Sequence, residues 1–197
     1  MPGSEHQRKN ITGLLGIGGV GLFVLAFFLF GSLYPGFDFW NDYVSKLGAK
    51  SAPHALGWNL LGFGLVGLAL AGFGIGYGLM LKERLVGVLL ALFGLGFAFT
   101  AIPMDFTEAD QIFSKVHMVS INLALAFWLF GLARIAYHPQ FSQRLRTRAN
   151  VAAILLVIGM IIGSIGIWPE AVAHKLVFLV VFGWTVVSAV ELLQDGK

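Results

Sequence analysis

The chain has 197 residues, 57% of them hydrophobic and only 12% charged, where a soluble domain carries about 25% charged residues. A mean hydropathy of +0.83 is more than a water-facing surface supports, so the composition predicts an integral membrane protein. Cysteine is absent, which excludes disulfides, thiolate catalysis and iron–sulfur ligation by Cys.

A helix needs about 20 apolar residues to cross the hydrocarbon core of a bilayer. In chain order, six stretches meet that need: residues 11–34, 55–81, 85–103, 116–137, 149–168 and 171–193. They are continuously apolar and do not alternate as membrane strands do. The predicted fold class is therefore all-α: one integral membrane domain over residues 1–197, a six-helix bundle of three helical hairpins. The N-terminal MPGSEHQRKN is polar and basic, and the run after it is too long for the core of a cleavable signal, so it reads as a first membrane helix.

Inside that helix, Gly16-Ile-Gly18-Gly19-Val-Gly21 matches the dinucleotide fingerprint in form only, because the fingerprint needs a strand before it. In a membrane helix, glycines let backbones approach closely. Gly72, Gly74, Gly76 and Gly78 in the second stretch, and Gly159 and Gly163 in the fifth, read the same way. They predict packing within the bundle and leave self-association, or a partner membrane protein, as a further role.

Orientation follows from Lys and Arg, which concentrate on the cytoplasmic side. One face carries Arg8, Lys9, Lys82, Arg84, Arg134, Arg144, Arg146, Arg148 and Lys197; the other carries only Lys46, Lys50, Lys115 and Lys175. The first is expected to face the cytoplasm with both termini. The outer face then holds Asp38, Asp42, Asp105, Glu108, Asp110 and Glu170. A pI near 9.3 is explained by this asymmetry and does not require nucleic acid as a partner.

Polar chemistry gathers at the outer ends. His54, His117 and His174 each sit near the start of a returning helix, after Pro35, Pro103 and Pro169 in turn, with Asp38, Asp105 and Glu170 close behind the prolines. The first two histidines are each followed five residues on by Asn59 and Asn122, where Leu179 stands after the third. Two readings remain open: a decayed triple repeat, or independent helix ends that favour the same residue types.

If the three histidines converge, with Asp105 they would suit zinc with a position open for water. Bound water would then become a nucleophile, with Asp38, Asp42 or Ser45 as further catalytic candidates. Trp40, Tyr43, Trp58 and Trp168 fit an interfacial aromatic belt or the lining of a lipid cleft. Asn59 and Asn122 are the main polar groups within helices and are expected to bond between helices. No ionisable side chain stands at a helix centre, which argues against an ion-coupled transporter.

The segment Asn41-Asp-Tyr-Val-Ser-Lys-Leu-Gly-Ala49, followed by Pro53 and Asn59, and the segment Ala101-Ile-Pro-Met-Asp105 followed by His117, resemble the bacterial and archaeal membrane family called domain of unknown function 998. That family is distantly similar to six-helix proteins of the damage-regulated autophagy modulator class. Their first outer loop matches Tyr43, Ser45 and Gly48, with Lys46 and Leu47 in place of an acid and a threonine. The resemblance implies a six-helix fold near lipid and no particular reaction. The expected function is an outward-facing His/carboxylate pocket that binds or organises membrane lipid. The alternatives are a zinc-dependent hydrolase of lipid at the outer leaflet and a structural subunit of a membrane complex.

Overall fold

The structure, a computed structural model, describes residues 2–106 and 111–194, with side chains from Glu5 onward; Glu108, Asp110 and Lys197 lie outside the described residues. Among these residues every regular element is helical. We number the long helices α1 (Pro2–Ser32), α2 (Ala55–Met80), α3 (Arg84–Phe99), α4 (Ile112–Tyr137), α5 (Gln143–Ser164) and α6 (Glu170–Gln194). Five are long and apolar enough to cross a membrane. The exception, α3, has 16 residues and at 1.5 Å per residue is about 24 Å long.

Several helix ends differ from the apolar stretches, for physical reasons. Polar residues prolong a helix as readily as they leave a membrane. Lys9 pairs with Glu5 at 3.9 Å and Asn10 with His6 at 3.1 Å, both one turn apart on α1. At the start of α5, the Ser142 hydroxyl accepts from Leu145 N–H at 3.3 Å, a side-chain cap that begins the helix ahead of Arg144, Arg146 and Arg148. That helix stops at Ser164, four residues short of expectation, because the chain turns at Gly166 with φ +71°. Pro169 therefore precedes the first turn of α6, where a missing N–H costs nothing, and does not end α5.

Each helix packs on its neighbours in the chain, and α6 closes on α1, so the bundle is a ring. A Cβ on Gly13 would lie 2.6 Å from Leu193 Cγ, which puts both chain ends at the same end of the bundle. The α2–α3 contact is the tightest. Cβ atoms built on Gly67 and Gly78 would fall 2.4 Å from Ala98 N and 2.3 Å from Gly87 Cα. The glycine reading of α2 thus holds as packing within the bundle. In α1, Gly16 and Gly19 are covered by Phe73 and Ala69, while Gly18 and Gly21 face open space.

The ring is filled by aromatic side chains. Phe23 meets Trp58, Phe97, Phe178 and Phe182 at centroid distances of 5.7, 6.0, 5.7 and 4.7 Å. Trp58 is 0% exposed, so it is a core residue and not part of an interfacial belt. Its neighbour Asn59 opens a π-helical stretch, Asn59–Leu65, within α2. A π turn widens the helix and redirects the side chains after it; here Phe63 is carried inward against Trp58 at 5.2 Å and Phe97 at 5.6 Å.

Candidate functional site

The connection between α1 and α2, 33–54, is built by its own polar groups. Asp38 accepts hydrogen bonds from Trp40 N–H at 2.8 Å, Asn41 N–H at 3.1 Å and the Asn41 amide at 2.8 Å. The Asn41 amide and the two backbone donors hold its carboxyl below the usual carboxylate range. Asp42 accepts from Asp38 N–H at 2.9 Å and pairs with Lys46 at 2.7 Å. Lys175 of α6 donates to the carbonyls of Trp40, Asp42 and Ala171 at 2.9, 2.6 and 3.2 Å, tying the loop to the bundle.

A 3₁₀ turn, Val44–Gly48, then dips into the bundle with Val44, Ser45, Leu47 and Gly48 buried. The Asn59 amide donates to the Gly48 carbonyl at 3.0 Å. Any Cβ at position 48 would sit 2.0 Å from Asn59 Oδ1, so this approach requires glycine. The connection between α3 and α4 joins this loop where Lys50 N–H donates to the Met104 carbonyl at 3.0 Å and Lys50 Nζ approaches Asp105 at 3.6 Å.

Beneath these loops lies a cavity of about 440 Å³ between the 3₁₀ turn, α4, α5 and α6, within the range of small-ligand sites, about 300–1,000 Å³. Its walls are apolar: Phe63, Ile121, Leu125, Val177 and Phe178 contribute. Its polar lining is Tyr43, Ser45, His117, Asn122, Glu170 and His174. Met118 and Asn122 on α4, and Met160 and Ser164 on α5, line it and are also exposed, so it opens between those two helices.

At the end beneath the loops the Tyr43 hydroxyl donates a short hydrogen bond to Glu170. Burial, reinforced by that carboxylate, pushes the Tyr43 phenol up to about 12. It therefore stays protonated and donating at neutral pH. His117 is 5% exposed, and its Nδ1 lies 3.0 Å from the Ile102 carbonyl. A carbonyl only accepts, so Nδ1 carries a hydrogen and donates it there. His174 packs on Phe178 at 5.1 Å and Tyr43 at 6.1 Å, and its Nδ1 is buried without a hydrogen-bond partner.

The expected residues thus divide. Tyr43, Ser45, His117, Asn122 and His174 line one cavity. Asp38, Asp42, Trp40, Trp58, Asn59, Asp105 and Trp168 do not line it. Trp40 and Trp168 are exposed, at 68% and 45%.

The three-histidine zinc centre is not assembled. His54 sits before the first turn of α2, exposed, with its ring 6.4 Å from Phe30. Among the described residues no three His or carboxylate side chains are placed to hold one metal ion. The three histidines also differ in their place on the helix. His54 precedes its helix, whereas His117 and His174 lie more than a turn inside theirs.

The two asparagines are unlike as well, and neither bonds between helices. Asn59 reaches the loop at Gly48, while Asn122 bonds its own helix at the Met118 carbonyl, 2.8 Å away. Glu170, noted in the sequence only as a carboxylate after a proline, proves to be the acid of the cavity mouth. The signal available for it was its place at the start of an apolar helix, where an acid favours the helix N-terminus.

No curated protein and no solved structure matches the chain. The two motif segments, now seen as the walls and roof of the cavity, fall inside the stretch that a family model does match. The chain belongs to the family described as Protein of unknown function (DUF998), whose model covers residues 17–193.

Proposed function

We propose that this is a six-span protein of the cell membrane, with both termini cytoplasmic, that holds a lipid in the cavity between α4, α5 and α6. The carrying observation is the shape and polarity of that cavity: about 440 Å³, apolar along its walls, polar at the Tyr43–Glu170 end and open sideways between α4 and α5. Such a space suits an acyl chain laid along Met118, Leu125 and Met160 with its headgroup at the outer loops. The cytoplasmic assignment of the opposite end rests on its arginines, among them Arg134 paired with Glu83 at 3.2 Å and Arg148 with Glu191. Helix α3 spans with help from the polar turns at its ends, since a short span is accommodated by local thinning of the bilayer.

The test is retention of lipid through purification in mild detergent, read by native mass spectrometry. Met118→Trp places an indole in the opening at a half-exposed position, where folding tolerates bulk. Retained lipid should fall about tenfold, the consequence of losing roughly 1.4 kcal/mol of binding. A parent protein that carries no lipid, or a Met118→Trp protein that carries as much as the parent, would defeat the proposal.

A further inference from the structure

The charges around the cavity are one-sided, and this bears on which headgroup it accepts. Among the described residues no Lys or Arg lines it. The nearest cation along α6 is Lys175, one residue past His174. Its three N–H donors go to the carbonyls of Trp40, Asp42 and Ala171, which is the full capacity of an ammonium. Lys46 is held by Asp42 at 2.7 Å and Lys50 is drawn to Asp105 at 3.6 Å.

The acid side is not balanced in this way. Glu170 lines the cavity and is exposed at its mouth, and its hydrogen-bond partner is a neutral phenol. A phenol steadies a carboxylate but does not cancel its charge. His117 has its Nδ1 committed to the Ile102 carbonyl. The residues that line the polar end therefore carry one formal charge, the Glu170 carboxylate, while Lys175 beyond the lining has its donors committed to carbonyls. An anionic phosphate or carboxylate group placed there would meet like charge and find no cation to pair with.

We propose that the cavity selects lipids whose headgroup ends in a protonated primary amine, with the Glu170 carboxylate as its charge partner, and turns away lipids of net negative headgroup. This rests on the lipid reading above and narrows it. An ammonium supplies up to three N–H donors to the Glu170 carboxylate and its surroundings, and N⁺–H···O⁻ hydrogen bonds are roughly twice as strong as neutral ones.

The experiment exchanges the purified protein against mixed micelles holding equal amounts of phosphatidylethanolamine, phosphatidylcholine and phosphatidylglycerol, and measures which is retained. Phosphatidylethanolamine should be enriched about tenfold over phosphatidylglycerol, and over phosphatidylcholine by less, because the quaternary amine keeps the charge but loses the N–H donors. Glu170→Gln should abolish the preference for phosphatidylethanolamine over phosphatidylglycerol. That substitution sits in the first turn of α6 and keeps the side chain's size.

The failures separate cleanly. If no lipid of any class is retained, the lipid reading itself falls. If lipid is retained without preference, or phosphatidylglycerol is favoured, or phosphatidylcholine equals phosphatidylethanolamine, only the primary-amine assignment falls. A preference that survives Glu170→Gln overturns Glu170 as the charge partner. Displacement of bound lipid by free ethanolamine at comparable concentration would make the ligand a soluble amine and overturn its identity as a lipid.

Discussion

The α2–α3 hairpin and the α4–α6 sector are made of the same kind of apolar, glycine-bearing helix, yet they pack differently. In the hairpin, glycines meet backbone: Gly78 faces Gly87, and Gly94 lies under Ala71, where a Cβ would be 2.2 Å from its nitrogen. Around the cavity, glycines meet side chains. A Cβ on Gly159 would stand 3.4 Å from Val177 Cγ2, an ordinary contact, while one on Gly163 would meet the Ala173 methyl at 2.8 Å, a close approach of side chain rather than backbone. Backbone against backbone leaves no room to expand; side chain against glycine leaves a wall that can open or fill. A glycine pattern therefore shows that helices come close, and what stands opposite each glycine shows whether they close.

The largest effect that tests this contrast comes from one methyl group placed in each region. Gly78→Ala should cost about 3 kcal/mol, because Gly87 Cα lies 2.3 Å from the new Cβ and two helices must separate. Gly159→Ala should cost less than about 0.5 kcal/mol. Thermal unfolding in detergent measures both, and equal costs would remove the contrast.

Next is Asn59, whose amide holds the 3₁₀ turn as a roof over the cavity. Asn59→Leu leaves the Gly48 carbonyl without its donor, a loss of about 1–3 kcal/mol. Retained lipid should drop with it. Unchanged stability would show that the roof is held by other contacts, such as the buried Leu47.

Two pH dependences sharpen the outer loops further. Tyr43 has its phenol raised to about 12 by burial and by Glu170. The stabilisation is fully present below the ordinary phenol value, about 10, and is lost as pH rises through about 12. Ultraviolet titration should find the Tyr43 phenol ionising late, and Tyr43→Phe should remove that component. Asp38 is the opposite case: its carboxyl is lowered by Asn41 and Trp40. The order it confers on the loop is present above the ordinary carboxylate range and lost as pH falls through the lowered value. Trp40 emission should report that loss in acid, and Asp38→Asn should flatten the response. The effect is small because the group is exposed.

Much of the fold could be read from the chain. Continuous apolar runs bounded by Lys82-Glu83-Arg84 and by Ser142 through Arg148 marked the helices, since only helices and closed barrels satisfy backbone hydrogen bonds in hydrocarbon and barrel strands would alternate. Helix ends were less legible, because the apolar pattern records where the membrane stops and not where hydrogen bonding stops. The π stretch at Asn59–Leu65 had no periodic signature, being a local widening set by Trp58 and Asn59 against their surroundings. Of the residues singled out in the sequence, Tyr43, Ser45, Asn122, His117 and His174 line the cavity. It also grouped His54 with the other two histidines, because their places in the chain are alike.

The sequence by itself determined that the chain is helical, membrane-class and polarised, because apolar run length and the placement of Lys and Arg depend only on the order of residues. Only the tertiary structure decided which outer residues share a cavity. Two positions of similar depth on different helices can face each other or face away, and that depends on helix rotation, which the ring of packed neighbours sets. His117 and His174 turn inward between α4 and α6, while His54 sits ahead of α2 against Phe30. That rotation, and not the count of histidines, gives the protein a two-histidine mouth closed by Tyr43 and Glu170.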